Sequence, residues 1–344
     1  MRYAGDIAEH TAVRTSAGLF DLSHMGEIAV RGADAVRFLE YALIGRMGAV
    51  ALARAKYTMI CAPDGGVIDD LVVYRRDWDH FVIVANAANK DVVFAELGER
   101  AAGFDVDLQD ESDEVALIAV QGPVSAAIVT AMTARDADNI APLPYYAATN
   151  VVLTGDIHAF VARTGYTGED GFELFVSAED APDVWRLALA TGADAIAPCG
   201  LSSRDTLRLE AGMPLYGQEL TRETTPFAAG LGRVIAFGTE ANPRGDFVGR
   251  SALEAARDAE HTRQLVGLIG EGRRSPRVGY AVTDAAGTVI GQVTSGAPSP
   301  TLGKPIGMAY VEPSASEPGT EVLIDVRGRG EPMTVAALPL YKRS

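Results

Sequence analysis

Three short segments set charged side chains in surroundings where they could do chemistry. The first is Gly65-Gly66-Val67-Ile68-Asp69-Asp70-Leu71-Val72-Val73-Tyr74, two acids at the entrance of an apolar strand. Successive strand residues point to opposite faces, so at most one of Asp69 and Asp70 enters a given cavity and the two do not form a proton-sharing pair. A carboxylate in a water-poor site has a raised pKa and can accept or relay a proton near neutral pH. The same two acids also suit a turn before the strand. The second segment runs from Arg163 to Phe175, RTGYTGEDGFELF. Phe172, Leu174 and Val176 share one strand face and Glu173 faces away from them. Glu173 is then either exposed or buried against a planar N–C–NH2 edge that gives it two parallel hydrogen bonds. The third, residues 199–213, reads CGLSSRDTLRLEAGM, a helix that a serine can cap and Gly212 can stop. Arg204 falls in its first turn, where cations are disfavoured, so it answers either an anionic or carbonyl ligand or a neighbouring acid such as Asp205.

The familiar signatures are missing: there is no GxxxxGK[ST], HExxH, GxSxG or complete GxGxxG, and the five histidines (10, 24, 80, 158 and 261) are scattered. Carboxylate-centred chemistry without a metal is the expectation. With 344 residues, two or three domains are expected. The balance of 30 Lys plus Arg against 46 Asp plus Glu, a net charge of −16, argues against nucleic acid and anionic membrane as partners. Cys61 and Cys199 are far apart and belong to no CxxC pair, so neither a disulfide framework nor a thiolate zinc cluster is expected. No uninterrupted apolar run approaches the roughly 18 residues of a membrane span, and the expected location is cytoplasmic.

The elements that must position these residues are mixed over the first 240 residues. Short β-rich runs at 27–30, 71–74, 81–85, 115–120 and 172–176 alternate with helical stretches, an α+β pattern. Asp34 can cap a helix with Ala35, Phe38, Leu39 and Ala42 on one side, and a second helix carries Val184, Leu187 and Ala188. From about Gln264 only β runs remain (265–269, 278–283, 288–295, 306–311 and 321–326), which predicts a C-terminal barrel or sandwich beyond a linker at 240–249.

Taken together, the residues resemble the aminomethyltransferase (T-protein) family of the glycine cleavage system. Six blocks carry the resemblance in order: AVRTSAGLFDLSHMG (12–26), GGVIDDLVVY (65–74), ALIAVQGP (116–123), TGYTGEDGFEL (164–174), CGLSSRDTLRLEAGMPLYGQEL (199–220) and TSGAPSPTLGKPIGMAYV (294–311). The resemblance implies a three-lobed cloverleaf: a discontinuous first lobe (1–25 and 110–240), a ferredoxin-like second lobe (26–109) and a C-terminal β-barrel (245–344). It implies a tetrahydrofolate-dependent transfer of the aminomethyl group from the dihydrolipoyl arm of H-protein. By the same resemblance Asp69 takes the catalytic position, Glu173 the pterin-binding carboxylate and Arg204 a second folate contact, with Met25, Tyr57, Asn86, Tyr166, Arg277 and Tyr341 as further cavity contributors. Members of the family usually begin with some two dozen further residues before the equivalent of Arg2-Tyr3. Two rivals share the fold, the folate domains of dimethylglycine and sarcosine oxidases and a folate protein of iron–sulfur assembly. No fused flavin segment is seen, and residues 213–219 read MPLYGQE, without the cysteine of the latter's K-G-C-Y-x-G-Q-E motif.

Overall fold

The computed structural model describes residues 2–326 and 328–343. A seven-stranded sheet runs in the order Ile196–Pro198, Ala17–Asp21, Val115–Gln121, Gly171–Ser177, Ile157–Ala162, Ala148–Leu153, Thr133–Arg135. The chain leaves this sheet after Asp21 and returns at Val115. Helices Ser125–Met132 and Ala181–Gly192 cover one of its faces through Ile128, Val129, Met132, Val184 and Ala188, which pack on Phe172, Leu174 and Val176.

The intervening residues build a second, antiparallel sheet in the order Arg54–Cys61, Val67–Arg75, His80–Ala85, Gly26–Arg31, Asp107–Asp110. This is a ferredoxin-like β-α-β arrangement with one added edge strand, Arg54–Cys61. Helices Ala35–Ala42 and Lys90–Arg100 cover one face, where Phe38, Leu39, Val93 and Leu97 meet Leu71, Val73 and Ile83. Asp34 stands at the N-cap, but its carboxylate makes no capping bond. Instead it accepts from the Asp105 N–H at 3.1 Å and pairs with Arg37.

The uncovered faces of the two sheets meet each other. Phe20, Leu117, Ala119, Phe160 and Phe175 of the first sheet pack with Tyr74, Val82 and Val84 of the second and with Leu207 of helix Leu201–Glu210. The Tyr74 ring stands edge-on to Phe175 at 5.3 Å and to Phe160 at 5.9 Å. Such aromatic contacts add roughly 0.5–1.5 kcal/mol each beyond the area they bury.

The third lobe is a closed barrel of Gln264–Gly270, Lys304–Val311, Val289–Ser299, Ala281–Thr283, Glu321–Asp325 and Gly330–Ala336. Its last strand, EPMTVA with a proline inside, escaped the sequence pattern, yet its pairing with Gln264–Gly270 closes the ring. The stretch 240–249 is no free linker. Arg244 is buried and donates to the carbonyls of Glu40, Leu43, Ile44 and Ala236, filling acceptors that the C-terminal turn of Ala35–Ala42 leaves open. Leu220, Ala229, Ile235 and Phe247 pack on Met59, Cys61 and Val67 of the second sheet. Among the described residues no helix is long and apolar enough to cross a membrane.

Helix Leu201–Glu210 is the junction of the lobes. Arg208, 1% exposed, donates to Glu219 at 2.8 Å, to Ser295 of the barrel at 2.8 Å and to the Met213 carbonyl at 3.2 Å, and Ser295 donates to Glu219 at 2.6 Å. Removing one partner of such a pair leaves a buried charge alone and costs about 3–5 kcal/mol. Arg208→Met is therefore expected to lower the unfolding free energy by about that amount in denaturant titration, because it strands Glu219. A loss below about 1 kcal/mol, typical of a surface pair, would show that the junction does not depend on this ion pair.

Candidate functional site

Alternation along strand Val67–Arg75 separates the two acids. Leu71 and Val73 lie in the helix-covered core, whereas Val72 and Tyr74 face the first lobe. Asp70 shares the face of Val72 and Tyr74, and Asp69 does not. Asp69 is 0% exposed, and its oxygens accept three bonds of 2.9 Å, from the Asn86 backbone N–H, Asn86 Nδ2 and Asn89 Nδ2. Asp70 is only half-buried and accepts from the Tyr57 hydroxyl at 2.9 Å and from Asn86 Nδ2 at 2.8 Å. Burial, and then the charge of Asp70, push the Asp69 carboxyl up to about 7 against the hydrogen bonds of Asn89 and Asn86. Burial likewise raises Asp70, opposed by Tyr57 and Asn86.

Glu173 lies across the gap on strand Gly171–Ser177, on the face opposite Phe172 and Leu174. Its Oε2 accepts from Thr164 Oγ1 and, at 3.2 Å, from the Tyr74 hydroxyl of the second sheet. Among the described residues Oε1 has no hydrogen bond, so a ligand can take it. The glycines before this strand serve close approach. A Cβ on Gly165 would sit 1.9 Å from Gln121 Oε1, and Gly168 has a φ of +81°. Arg163 closes the loop with a two-pronged pair to Asp170 at 2.8 and 2.6 Å.

Arg204 projects from the first turn of helix Leu201–Glu210, whose N-cap is Gly200 rather than a serine. The carboxylate of Glu9 takes the Gly200 N–H at 2.7 Å. Asp205 pairs with Arg208, so the local partner considered for Arg204 is committed elsewhere. Among the described residues the Arg204 guanidinium makes no ion pair and no hydrogen bond, and it lies 4.9 Å over the ring of Tyr166. Burial lowers its pKa, partly offset by Glu173 and Tyr166.

The phenols show that these groups converge. Burial raises the pKa of Tyr146, with further rises from Tyr145, Glu173 and Asp70. Burial also raises that of Tyr166, where Arg208 and Arg204 oppose and Asp70 adds to the rise. Tyr57, Tyr146, Tyr166, Asp70, Glu173 and Arg204 thus lie near enough for their charges to act on one another, where the first two lobes meet. Tyr146 and Tyr74 were not singled out in the sequence. Tyr146 carries a φ of +60°, uncommon for a bulky residue, and its carbonyl accepts from the Ala55 N–H of the second sheet at 2.8 Å. Its sequence signal was only a Pro-Tyr-Tyr turn.

Tyr166, in this group, is anchored by its hydroxyl to the Pro214 carbonyl, and Met25 is half-buried at the edge of the inter-lobe core; two other expected contributors lie elsewhere. Tyr341 belongs to another cluster, donating to Glu169 at 2.7 Å beneath the guanidinium of Arg14. Arg277 is exposed and lines a barrel cleft with Arg273, Arg274, Tyr280 and Arg329, none of which belongs to the inter-lobe group.

The arrangement offers a carboxylate for a planar donor edge, a stacked cation and a second carboxylate of raised basicity. Comparison with known proteins gives the chain's family. Residues 2–239 match the family model described as the GCVT N-terminal domain, and residues 263–342 match the glycine cleavage T-protein C-terminal barrel domain. An aminomethyltransferase of Streptomyces coelicolor is 56% identical over 348 residues, covering 100% of this chain and 91% of its own length. That of Bacillus subtilis is 44% identical over 97% of this chain and 90% of its own. The crystal structure of glycine cleavage system aminomethyltransferase T from Bartonella henselae superposes with a TM-score of 0.88 at 34% identity, covering 99% of this chain and 91% of that one. The chain belongs to the glycine cleavage T-protein family of aminomethyltransferases.

Proposed function

We propose that this chain takes the aminomethyl group held on the dihydrolipoyl arm of an H-protein and passes its carbon to tetrahydrofolate, giving 5,10-methylenetetrahydrofolate, ammonia and the reduced arm. The observation that carries the proposal is Glu173, held from both lobes by Tyr74 and Thr164 with one oxygen open. Tetrahydrofolate, when bound, supplies a pterin N–C–NH2 edge and two amine nitrogens that receive the carbon as a bridge. The residues at the lobe interface suit it. Glu173 accepts from the planar edge through its open oxygen, and Arg204, stacked on Tyr166, turns its free fork toward a carbonyl or carboxylate.

The carbon arrives already activated as an N,S-acetal, so orientation does most of the work, worth up to about 7–11 kcal/mol in ideal intramolecular cases. Asp70 is assigned the acid–base role that the resemblance gives to Asp69: it shares the Glu173-facing side of its strand and is only half-buried, whereas Asp69 is fully buried among three amide N–H donors. Asp70 orients the attacking amine and holds its proton. Asp69 is a positioning residue. It fixes Asn86, whose Nδ2 reaches Asp70. Tyr57 holds the second oxygen of Asp70, and Met25 supplies apolar wall. No role is proposed for Arg277 or Tyr341, which touch none of this group.

Asp70→Asn is expected to leave folate affinity nearly unchanged and to lower kcat about 10²- to 10⁴-fold. The assay is a coupled one with aminomethylated H-protein and tetrahydrofolate that scores ammonia and methylenetetrahydrofolate together. Asp69→Asn is expected to lose less, because Asp70 keeps its place on the Glu173-facing side and its bond from Tyr57. A loss in Asp69→Asn as great as or greater than that in Asp70→Asn would return the catalytic role to Asp69. Folate binding without either product in the unaltered protein would favour a carrier rather than a transferase.

A further inference from the structure

Behind the Tyr74, Phe160 and Phe175 layer, a cleft of about 350 Å³ opens on the flank of the lobe interface. That volume lies within the range of small-ligand sites. Its wall includes Glu27, a residue the reaction does not use. Glu27 is 1% exposed, and neither carboxylate oxygen has a hydrogen-bond partner. A buried carboxyl without a hydrogen-bond partner is destabilising, so its presence calls for a partner that occupies the site from outside.

We propose that this cleft binds a small primary ammonium compound, whose N–H groups bond to the Glu27 carboxylate. Three observations favour a cation with N–H donors. Phe160 and Phe175 line the cleft, and Phe160 already holds a guanidinium, Arg76, 4.3 Å over its ring. Asp110 and Glu173 turn negative charge toward Glu27 against Lys90 beside it, while on the lining Glu111 is paired with Arg31 and Arg76 is the cation. Arg76 at the mouth is tied to Asn150 at 3.1 Å, and Glu111 to Arg31 at 2.6 Å, so neither competes for the Glu27 oxygens. Burial first, then Asp110 and Glu173, push Glu27 up to about 8 with Lys90 opposing, and an arriving ammonium group reverses that by replacing the proton with its own N–H donors.

The ligand has two sources, the ammonia released by the transferase reaction and the amino group of a free amino acid. The site itself does not depend on that reaction, because binding is read without folate or H-protein.

The test is ligand-observed saturation-transfer NMR on the full chain with methylammonium as probe, competed with ammonium chloride, glycine and tetramethylammonium chloride at matched ionic strength. Saturation transfer to methylammonium is expected, with at least about tenfold weaker affinity in Glu27→Gln, the size of a lost charge-assisted hydrogen bond. Tetramethylammonium, which has no N–H, does not displace the probe. Stronger displacement by ammonium identifies the reaction product as the source, and stronger displacement by glycine identifies a free amino acid. Should Glu27→Gln fail to fold, Ser177→Trp, which fills the cleft from its exposed rim, is expected to abolish the signal instead. No saturation transfer in the unaltered protein, equal affinity in Glu27→Gln, an undiminished signal in a folded Ser177→Trp, or displacement by tetramethylammonium as strong as by ammonium would overturn the site.

Discussion

The hydrogen bond from Tyr74 to Glu173 joins the two sheets, and the geometry of the gap between them depends on it. Each sheet covers one face with helices and leaves the other bare. Two bare apolar faces would close on each other completely. Here they close over a patch that includes Phe20, Leu117, Phe160, Phe175, Val82 and Val84. Thr164 and Tyr74 satisfy one oxygen of Glu173, which makes burial of the carboxylate tolerable while leaving the other oxygen for a ligand.

The third side of the gap comes from helix Leu201–Glu210, which is held by charge rather than by apolar packing alone. Arg208, Glu219 and Ser295 tie its middle to the barrel. At its C-terminal end Glu210 accepts from Arg14 at 2.8 Å and from Thr301 at 2.8 Å, and it lies 3.1 Å from His10. Burial pushes the Glu210 carboxyl up, but bonds from His10, Ser299 and Arg14 outweigh it and hold it at about 2. Hydrogen-bonded charges fix direction as well as distance. That suits a helix whose task is to aim Arg204 from its first turn.

Much of this was legible in the residues, and the parts that were not have physical reasons. The face of Glu173 followed from period-two alternation, because Phe172, Leu174 and Val176 are strongly apolar on both sides of it. The choice between Asp69 and Asp70 did not follow. Alternation says that they diverge, but only the packing of Leu71 and Val73 beneath the helices says which way. The barrel was visible from its turn-separated β runs, but not the strand containing Pro332. The return of the chain to its first sheet at Val115 leaves no local signal, since register depends on a partner about a hundred residues away. Tyr341 and Arg277, carried over by resemblance, lie in other clusters because family position specifies a place in the chain and not a contact in this one.

The most direct measurement is a crystal structure of the chain with tetrahydrofolate bound. The account predicts the pterin N–C–NH2 edge on Glu173 and an amine nitrogen within hydrogen-bond distance of Asp70, with Asp69 still enclosed by Asn86 and Asn89. A pterin bound away from Glu173, or an amine nitrogen on Asp69, would contradict it.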